Sequence, residues 1–366
     1  MSNPLFYRLA LTLIPQVGPV TTKRLLDSFG SAKQVFSASK SDLKADLGLS
    51  EEMIAHILTQ STFKEVEQEL VFIEQNKVKV LFYKDDDFPE RIRIRPEAPA
   101  LLFYKGNADL NHHRTVGIVG TRKTTSYGQT VCKQIVQDLR KYDVQTISGL
   151  ANGVDSIAHR ISLESDIPTI GVLGHGLQMI YPYNNDKLAQ EIMENGGLLT
   201  EYTSTKGPDR EHFPARNKIV AALSDALAVV ESAKKGGSLI TAKFANTYLK
   251  RVFAVPGRVY DTMSEGCNQL IKNNQADIAE GADDIAKAMH WKAQSKLANI
   301  QTNLFIELDD REKQIIGVIK KLNTPSLDRL CYETKILNSE MTSLLLNLEF
   351  KGVIQSLPGK RYVQTA

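Results

Sequence analysis

The stretch TVGIVGTRKTTSY, residues 115–127, decides the fold of this chain. Its first five residues form a short apolar run that is rich in β-branched side chains and ends at Gly120. A helix-length pattern begins directly after the loop, so the stretch predicts a strand, a tight loop and a helix. Backbone N–H groups at a helix N-terminus favour an anion, and Arg122 adds a planar guanidinium suited to phosphate. The sequence therefore predicts a phosphate-binding loop.

Strand and helix patterns alternate regularly from this stretch to about residue 258. The later apolar runs that predict strands are residues 144–147, 169–173, 198–201, 226–230 and 252–255. Helix-length segments lie between them, which is the pattern of βαβ units and of a parallel sheet covered on both faces. Two earlier β-rich runs, 78–83 and 100–104, extend this sheet, and we expect the prolines between them to exclude a helix. We predict an α/β fold with a Rossmann-like, doubly wound parallel sheet as its core.

Helical patterns flank the predicted sheet on both sides. Residues 1–75 predict a small all-α N-terminal domain, in which residues 14–26 have the form of a helix-hairpin-helix that can bind a nucleic-acid phosphate. A helical bundle that only packs on its neighbour is an equal alternative. We assign residues 76–291 to the extended sheet domain and 292–310 to a linker. Residues 311–366 predict three helices and a β-hairpin, which is the order of a winged helix.

The presumed recognition helix of the winged helix, SEMTSLLLNLEF, contains no Arg or Lys. A helix that reads duplex DNA normally needs such side chains for its phosphate and base contacts. We therefore expect this domain to contact protein rather than to read a duplex.

The composition is that of a globular protein with two or three domains. The chain has 366 residues, of which 42% are hydrophobic and 24% are charged. Its 45 Lys and Arg against 42 Asp and Glu give a net charge of only +3, so a nucleic-acid site requires local clustering. Cys132, Cys267 and Cys331 have no paired spacing, which indicates free thiols in a reducing compartment. Neither a signal peptide nor a run of 18 apolar residues is evident, so we expect a cytoplasmic protein without a membrane segment.

The loops that follow the predicted strands hold the candidate site, because ligands of an open parallel sheet gather at the carboxyl ends of its strands. These loops combine glycines with basic and aromatic side chains. The basic residues are Arg122, Lys123, Arg216, Lys218, Lys234 and Lys235, and the aromatic residues are Tyr181, Tyr183 and Phe213. Basic side chains interleaved with aromatic ones suit a single strand of nucleic acid.

A Rossmann-like enzyme that hydrolyses nucleotides or nucleoside phosphates is the alternative. Its carboxylate would be Asp155 or Glu201, yet Asp155 and His159 are more typical of a helix cap and an interior histidine than of a catalytic pair. The segment GHGLQM is half of a dinucleotide fingerprint, and the P-loop, H-E-x-x-H and G-x-S-x-G motifs are absent. Metal-ligand spacing of Cys and His is absent too. We therefore expect no cofactor, no metal and no catalytic residue.

Five motifs in this order and spacing resemble the DNA processing protein A family (DprA, also called Smf). They are GIVGTRKTTSYG, SGLANGVDSIAH, HFPARNKIVAALS, GGSLITAKFA and VFAVPGRVYDTMSEGCNQLI. The resemblance implies an N-terminal domain like a sterile alpha motif, a Rossmann-like core and a C-terminal winged helix. It also implies a non-enzymatic protein that binds single-stranded DNA, protects incoming strands in natural transformation, loads the RecA recombinase and forms a homodimer through its core.

The resemblance assigns residues to the strand-binding site, with Arg122 as the principal phosphate contact. The predicted site consists of Gly120, Thr121, Arg122, Lys123, Gly149, Gly153, Tyr181, Tyr183, Phe213, Arg216, Asn217, Lys218, Lys235, Gly237, Ser238 and Thr241. Tyr183 stands where the family usually carries Arg or Lys, and Ala215 stands where a basic or polar residue is common. We therefore expect Tyr183 to contribute by stacking, and Lys123, Lys234 and Lys235 to supply the charge.

Overall fold

The computed structural model describes residues 3–46, 48–293, 309–322, 324–351, 353–357 and 361–364. The chain divides into two compact units, Met1–Ala293 and Gln294–Ala366. Residues 294–308 of the predicted linker lie outside the described residues, and the predicted domain boundaries stay predictions. In the described part of the chain, no helix has the length and apolar character that a membrane crossing needs.

A nine-stranded sheet lies at the centre of the first unit, within the described residues. Its strands are β1 (Lys79–Phe82), β2 (Leu101–Gly106), β3 (Thr115–Val119), β4 (Gln145–Ser148), β5 (Thr169–Val172), β6 (Gly196–Thr200), β7 (Ala226–Val229), β8 (Arg251–Ala254) and β9 (Asp277–Ile278). They lie in the order β1-β2-β6-β5-β4-β3-β7-β8-β9. Strand β2 is antiparallel to both of its neighbours, and the remaining pairs are parallel. The chain winds outward from β3 on one side and from β7 on the other, so the ends of β3 and β7 form the crevice where such sheets bind ligands.

Helices cover both faces of this sheet. Those of the first unit are α1 (Pro4–Thr12), α2 (Pro19–Phe29), α3 (Ala32–Ser37), α4 (Lys40–Asp46), α5 (Glu51–Leu58), α6 (Phe63–Asn76), α7 (Glu90–Arg93), α8 (Ser126–Leu139), α9 (Val154–Glu164), α10 (Asp186–Glu194), α11 (His212–Leu223), α12 (Gly237–Thr247), α13 (Glu265–Lys272) and α14 (Ala282–Ala288). Helices α8, α9 and α14 bury their apolar sides in one cluster, and α11, α12 and α13 bury theirs in another. Because both faces are covered, all five residues of β3 are buried. The predicted doubly wound core is confirmed.

The N-terminal helices pack on one edge of the sheet. Their core residues Leu9, Leu25 and Ile57 share a hydrophobic cluster with Phe82 of β1 and Phe103 of β2. The predicted hairpin leads into α2, which begins at Pro19, a position where proline is favoured because the first helical N–H has no partner within the helix. Residues of this hairpin, including Pro19, line a pocket of about 490 Å³ together with Phe103. The hairpin therefore borders the sheet edge.

The expectation that prolines exclude a helix between β1 and β2 is wrong for one turn. Helix α7 begins directly after Pro89, which occupies its N-cap and lacks only an N–H that the helix does not use. Arg91 in this turn donates two hydrogen bonds of 2.8 Å to the carboxylate of Asp225. A single turn thus fits between Pro89 and Pro96.

The second unit contains three helices followed by a two-stranded antiparallel sheet in its described part. The elements are α15 (Asp310–Leu322), α16 (Leu327–Thr334), α17 (Asn338–Phe350), β10 (Ile354–Leu357) and β11 (Arg361–Gln364). Ile315, Leu330, Leu345 and Ile354 contribute one side chain from each of the three helices and from the sheet to a separate hydrophobic cluster. The predicted winged-helix order is confirmed.

Candidate functional site

The loop between β3 and α8 is held on both sides by its neighbours. The N–H of Thr121 donates to the carbonyl of Glu231 at 2.8 Å, and the carbonyl of Thr121 accepts from the N–H of Val154 at 3.1 Å. Thr121 Oγ1 also accepts from the N–H of Lys123 at 3.1 Å. Arg122 lies between these anchored residues and is exposed to solvent. The loop therefore presents Arg122 from a backbone that is already fixed.

A buried carboxylate beneath the loop, that of Glu231, secures the start of α8. Glu231 is 1% exposed and accepts hydrogen bonds from both the N–H and the hydroxyl of Thr125, the N-cap of the helix. A Cβ atom at Gly128 would lie 2.1 Å from Glu231 Oε2, so the first turn of α8 can approach the carboxylate only with glycine there. Glu231 was missed from the predicted site. An acidic residue directly after a fully apolar strand is the signal that would have found it.

Glycine is required at two positions of the loop after β4, because other parts of the chain pack directly against the backbone there. Gly153 has a φ angle of +83°, and a Cβ atom there would lie 2.2 Å from the carbonyl oxygen of Thr121. A Cβ atom at Gly149 would lie 0.9 Å from Nη1 of Arg216. Both residues therefore support the site by packing against its other members.

Arg216 forms a buried ion pair with Asp155. The Arg216 Nη1 to Asp155 Oδ2 distance is 3.6 Å, and less than a tenth of either side chain is exposed. The same carboxylate oxygen accepts from the N–H groups of Gly149 at 3.2 Å and Ala151 at 3.4 Å. Burial raises the pKa of the Asp155 carboxyl, and the Arg216 charge and these two N–H groups oppose the rise. Asp155 thus holds the loop after β4 against α11.

His159, one turn after Asp155 on α9, is an interior histidine. It is fully buried, and its Nδ1 lies 2.7 Å from Oγ1 of Thr169 in β5. Burial, with a further contribution from the positive charge of Arg216, lowers the pKa of His159 to about 3. The imidazole is therefore neutral at physiological pH.

A pocket of about 360 Å³ opens where the loops after β3 and β7 meet α11. The guanidinium carbon of Arg122 lies 5.5 Å from the centre of the Phe213 ring. The Phe213 ring also lies near the ring of Tyr181. The two ring centres are 6.2 Å apart, and the ring planes are inclined by 37°. Tyr181 is 46% exposed. The guanidinium of Arg122 and the ring of Phe213 therefore line the pocket side by side, and the exposed ring of Tyr181 lies next to Phe213, outside the pocket lining.

The N-terminus of α12 forms another part of the pocket wall. Its N-cap, Gly236, provides no side-chain hydrogen bond, and Gly237 and Ser238 are the first two helical residues. The first N–H groups of a helix have no partner one turn earlier, so they and the helix dipole favour an anion. Ser238 is buried and donates to Oγ of Ser232 at 2.9 Å, which ties the start of α12 to the preceding loop.

The family model described as DNA recombination-mediator protein A matches residues 79–290. This span contains the whole nine-stranded sheet and the pocket. The chain belongs to this family. The family resemblance that the five sequence motifs indicate is therefore confirmed.

Relatives support the family assignment over most of the chain. Protein Smf of Synechocystis is 32% identical over 97% of this chain and 98% of its own length. DNA processing protein DprA of Streptococcus pneumoniae is 37% identical over 56% of this chain and 72% of its own length. The crystal structure of the Streptococcus pneumoniae protein superposes with a TM-score of 0.62 and 29% identity, covering 80% of this chain and 99% of that structure.

A second solved relative is DNA processing protein A from Helicobacter pylori. It has a TM-score of 0.54 and 30% identity, and the match covers 59% of this chain and 98% of that structure. That structure is described as giving insight into the protein's unique single-stranded DNA binding mode.

Nine of the sixteen predicted site residues line the pocket of about 360 Å³ in this chain. They are Gly120, Thr121, Arg122, Phe213, Arg216, Asn217, Gly237, Ser238 and Thr241. Arg210 also lines it and was missed, although a basic residue just before the HFPARN segment was a usable signal. Gly149 and Gly153 pack against two of these residues, Arg216 and Thr121.

The remaining predicted residues lie elsewhere. Lys218 lines a separate pocket of about 270 Å³ with Glu201, and its Nζ lies 5.5 Å from the centre of the Phe244 ring. Burial raises the pKa of the Glu201 carboxyl, and the charge of Lys218 opposes the rise. The other four residues have exposed side chains, Tyr183 being 85% exposed, and they are Lys123, Tyr181, Tyr183 and Lys235.

Proposed function

We propose that this chain binds single-stranded DNA in the pocket between Arg122, Phe213 and the N-terminus of α12. The observation that carries the proposal is that phosphate donors and a stacking surface border one cavity. Arg122 and Phe213 are 5.5 Å apart there. Charged donors with an aromatic face are what a flexible strand requires, since every nucleotide offers both a phosphate and a ring.

Each part of the pocket has a role in this proposal. The guanidinium of Arg122 binds one phosphate bidentately, and the first N–H groups of α12 bind another. Phe213 and Tyr181 stack on bases, at roughly 1–3 kcal/mol per base. The exposed ammonium groups of Lys123, Lys234 and Lys235 attract the backbone at the rim. The binding of single-stranded DNA by the Helicobacter pylori relative supports the proposal.

The biological role that we propose is protection of incoming strands and loading of RecA recombinase on them, by a homodimer that is not an enzyme. The alternative, a nucleotide or nucleoside-phosphate hydrolase, has less support because it requires a carboxylate that is free to act on a substrate. The Asp155 carboxylate already accepts two backbone N–H groups and faces Arg216 at 3.6 Å. Membership of a recombination-mediator family also supports the binding role.

Fluorescence anisotropy of a labelled oligonucleotide tests strand binding. We expect the wild-type protein to prefer the single strand over the duplex and to lose affinity with salt, with a logarithmic slope of roughly −0.7 per phosphate contact. Arg122→Ala removes one contact. It should lower affinity by roughly tenfold or more and make the slope shallower by about 0.7.

Arg251→Ala is the matched control, because Arg251 begins β8 at the amino end of the sheet and pairs with Asp277 at an exposed position. Its affinity should equal that of the wild type. Equal binding of single strand and duplex, or an unchanged affinity in Arg122→Ala, would reject the pocket as the strand site. Sustained release of base from nucleoside monophosphates, abolished by Asp155→Ala, would instead favour the hydrolase.

Three further measurements test the finer parts of the proposal. Tyr183→Ala should lower strand affinity if stacking by Tyr183 replaces a basic side chain, and an unchanged affinity would contradict that role.

RecA assembly on the oligonucleotide, followed by its strand-dependent ATP hydrolysis, should start sooner when this protein is present. Sedimentation equilibrium should give twice the chain mass, and a monomer at all concentrations would contradict the homodimer.

A further inference from the structure

His112, His113 and Asp143 converge at the edge of the sheet opposite to the pocket. The two histidines precede β3, and Asp143 lies in the turn between α8 and β4, so all three lie at the amino ends of parallel strands. Among the described residues, these three side chains form a group of possible metal ligands whose ligand atoms lie close enough to share one ion. The long sequence separation between the histidines and the aspartate explains why motif spacing did not reveal them.

The distances within this group are close to those between ligand atoms around an ion. Nε2 of His112 lies 3.8 Å from Oδ1 of Asp143, and Nε2 of His113 lies 3.5 Å from Oδ2. Two ligand atoms on one tetrahedral Zn²⁺ are about 3.4 Å apart, given metal–ligand bonds of roughly 2.0–2.1 Å. The three ligand atoms all lie within 4.8 Å of one another. Closing the widest gap requires a movement on the order of 1 Å, and His113 is free to make it because 58% of its side chain is exposed.

The second nitrogen of His112 has the partner that a metal-bound imidazole requires. Nδ1 of His112 lies 2.9 Å from the carbonyl oxygen of Arg114 and 3.3 Å from the backbone nitrogen of the same residue. Because a carbonyl oxygen can only accept, the shorter contact is a hydrogen bond when Nδ1 carries the proton, and Nε2 then keeps the lone pair. Metal-ligating histidines characteristically donate their other N–H to a backbone carbonyl or a carboxylate. In this tautomer the hydrogen bond holds the ring with Nε2 facing Asp143. The side chain of His112 is also the least exposed of the three, at 19%.

We propose that His112, His113 and Asp143 bind one divalent transition-metal ion, with Zn²⁺ as the best match. Two imidazoles and one carboxylate suit Zn²⁺ in ligand type and leave a fourth position for water. The site differs from the proposed strand-binding pocket in its location and in its chemistry.

A bound ion would join the segment before β3 to the turn before β4. Nη1 of Arg114 already connects these segments through a hydrogen bond to the carbonyl of Tyr142. The ion would add a second connection and stabilise the folded state by RT ln(1 + c/Kd), where c is the free ion concentration, so the stabilisation grows with the logarithm of that concentration. Its role here is structural, and its effect is measurable without DNA.

The test uses the full chain without a histidine tag, freed of metal by chelator and dialysis. Isothermal titration with Zn²⁺ should give one ion per chain, and Co²⁺ should give the visible absorption of a tetrahedral site. Zn²⁺ should raise the Tm of the wild type. Asp143→Asn and His113→Gln should each weaken Zn²⁺ binding by roughly tenfold or more, because each removes one of three ligands.

The variants are chosen to keep the fold. Asp143 has a left-handed backbone with φ of 51°, which asparagine also tolerates, so Asp143→Asn should have the wild-type Tm in chelator. His290→Asn is the matched control, because His290 is an exposed histidine whose backbone is also left-handed, and this variant should bind Zn²⁺ like the wild type. Absence of stoichiometric binding, equal binding by Asp143→Asn, or a thiolate-to-Co²⁺ charge-transfer band would each overturn the proposal.

Discussion

Gly153 combines a φ angle of +83° with a ψ angle of −129°, a backbone conformation that residues with a Cβ atom rarely adopt. Gly153→Ala should therefore lower the free energy of unfolding by roughly 2–3 kcal/mol, through backbone strain and the contact with the carbonyl of Thr121. Because that carbonyl belongs to the loop of Arg122, affinity for the single-stranded oligonucleotide should fall as well. Urea unfolding and anisotropy measure the two effects.

Gly207→Ala is the control for this substitution. A Cβ atom at Gly207 would meet no other atom within 4 Å, so its free energy of unfolding should stay within about 0.5 kcal/mol of the wild type. Wild-type stability in Gly153→Ala would mean that the loop backbone can relax, and the packing argument for this glycine would fail.

His159 predicts a pH dependence of stability. Its pKa is lowered to about 3 in the folded chain from an ordinary value of 6.5. As the pH falls below 6.5 the unfolded chain gains a proton that the folded chain does not bind. This residue's contribution to stability is therefore complete above that pH and is lost progressively towards pH 3, at about 1.4 kcal/mol per pH unit.

The variant His159→Gln isolates this contribution. Urea unfolding at a series of pH values should show the wild type losing stability on acidification more steeply than His159→Gln. Parallel pH profiles would show that the imidazole binds its proton equally well in the folded and the unfolded chain, contrary to its burial.

At the scale of single elements, one substitution tests whether the first N–H groups of α12 bind a phosphate of the strand. Gly237→Pro removes the first helical N–H, while proline is well tolerated at this position of a helix. The preceding residue, Gly236, has the extended backbone that proline requires, with φ of −72° and ψ of 146°. Strand affinity should fall by roughly tenfold without a loss of stability, because one donor to a phosphate is lost.

Gly237→Ala retains the N–H and serves as the comparison. A Cβ atom at residue 237 would meet nothing within 4 Å, so this variant should bind like the wild type. If both variants bound equally well, the helix N-terminus would have no part in strand binding.

Helix α11 shows where sequence reasoning about the site reaches its limit. The HFPARNKIVAALS motif predicts that Phe213, Arg216 and Lys218 contact one strand. Successive residues of an α-helix point about 100° apart, and the structure places Lys218 beside Glu201 while Arg216 pairs with buried Asp155. Motif membership predicts which helix borders the site. The rotation of that helix depends on long-range packing that a local pattern does not contain.

At the scale of the whole molecule, the sheet was highly predictable. The predicted strand at residues 169–173 corresponds to β5 at Thr169–Val172, and the one at 226–230 corresponds to β7 at Ala226–Val229. Strands buried on both faces read as short apolar runs between polar loops, so their ends are visible in the sequence. The partners of buried charges are not visible, since Glu231 meets Thr125 only when β7 lies beside β3.

The division into two compact units predicts that residues 1–293 fold without the rest of the chain. The clusters of the sheet and of the N-terminal helices lie within Met1–Ala293, and the cluster of the three C-terminal helices lies within the second unit. A chain ending at residue 293 should unfold cooperatively and keep its affinity for the oligonucleotide within about threefold. Circular dichroism on heating and anisotropy test this, and aggregation or a much larger loss of affinity would contradict it.

The anchoring of Thr121 by Glu231 and Val154 has a consequence for the speed of binding. A receptor whose backbone is already ordered has no conformational step to complete after collision, so association should be limited by diffusion and orientation. Single-phase stopped-flow traces, with observed rates that rise linearly with oligonucleotide concentration and no plateau, would be the kinetic signature of such a preformed loop.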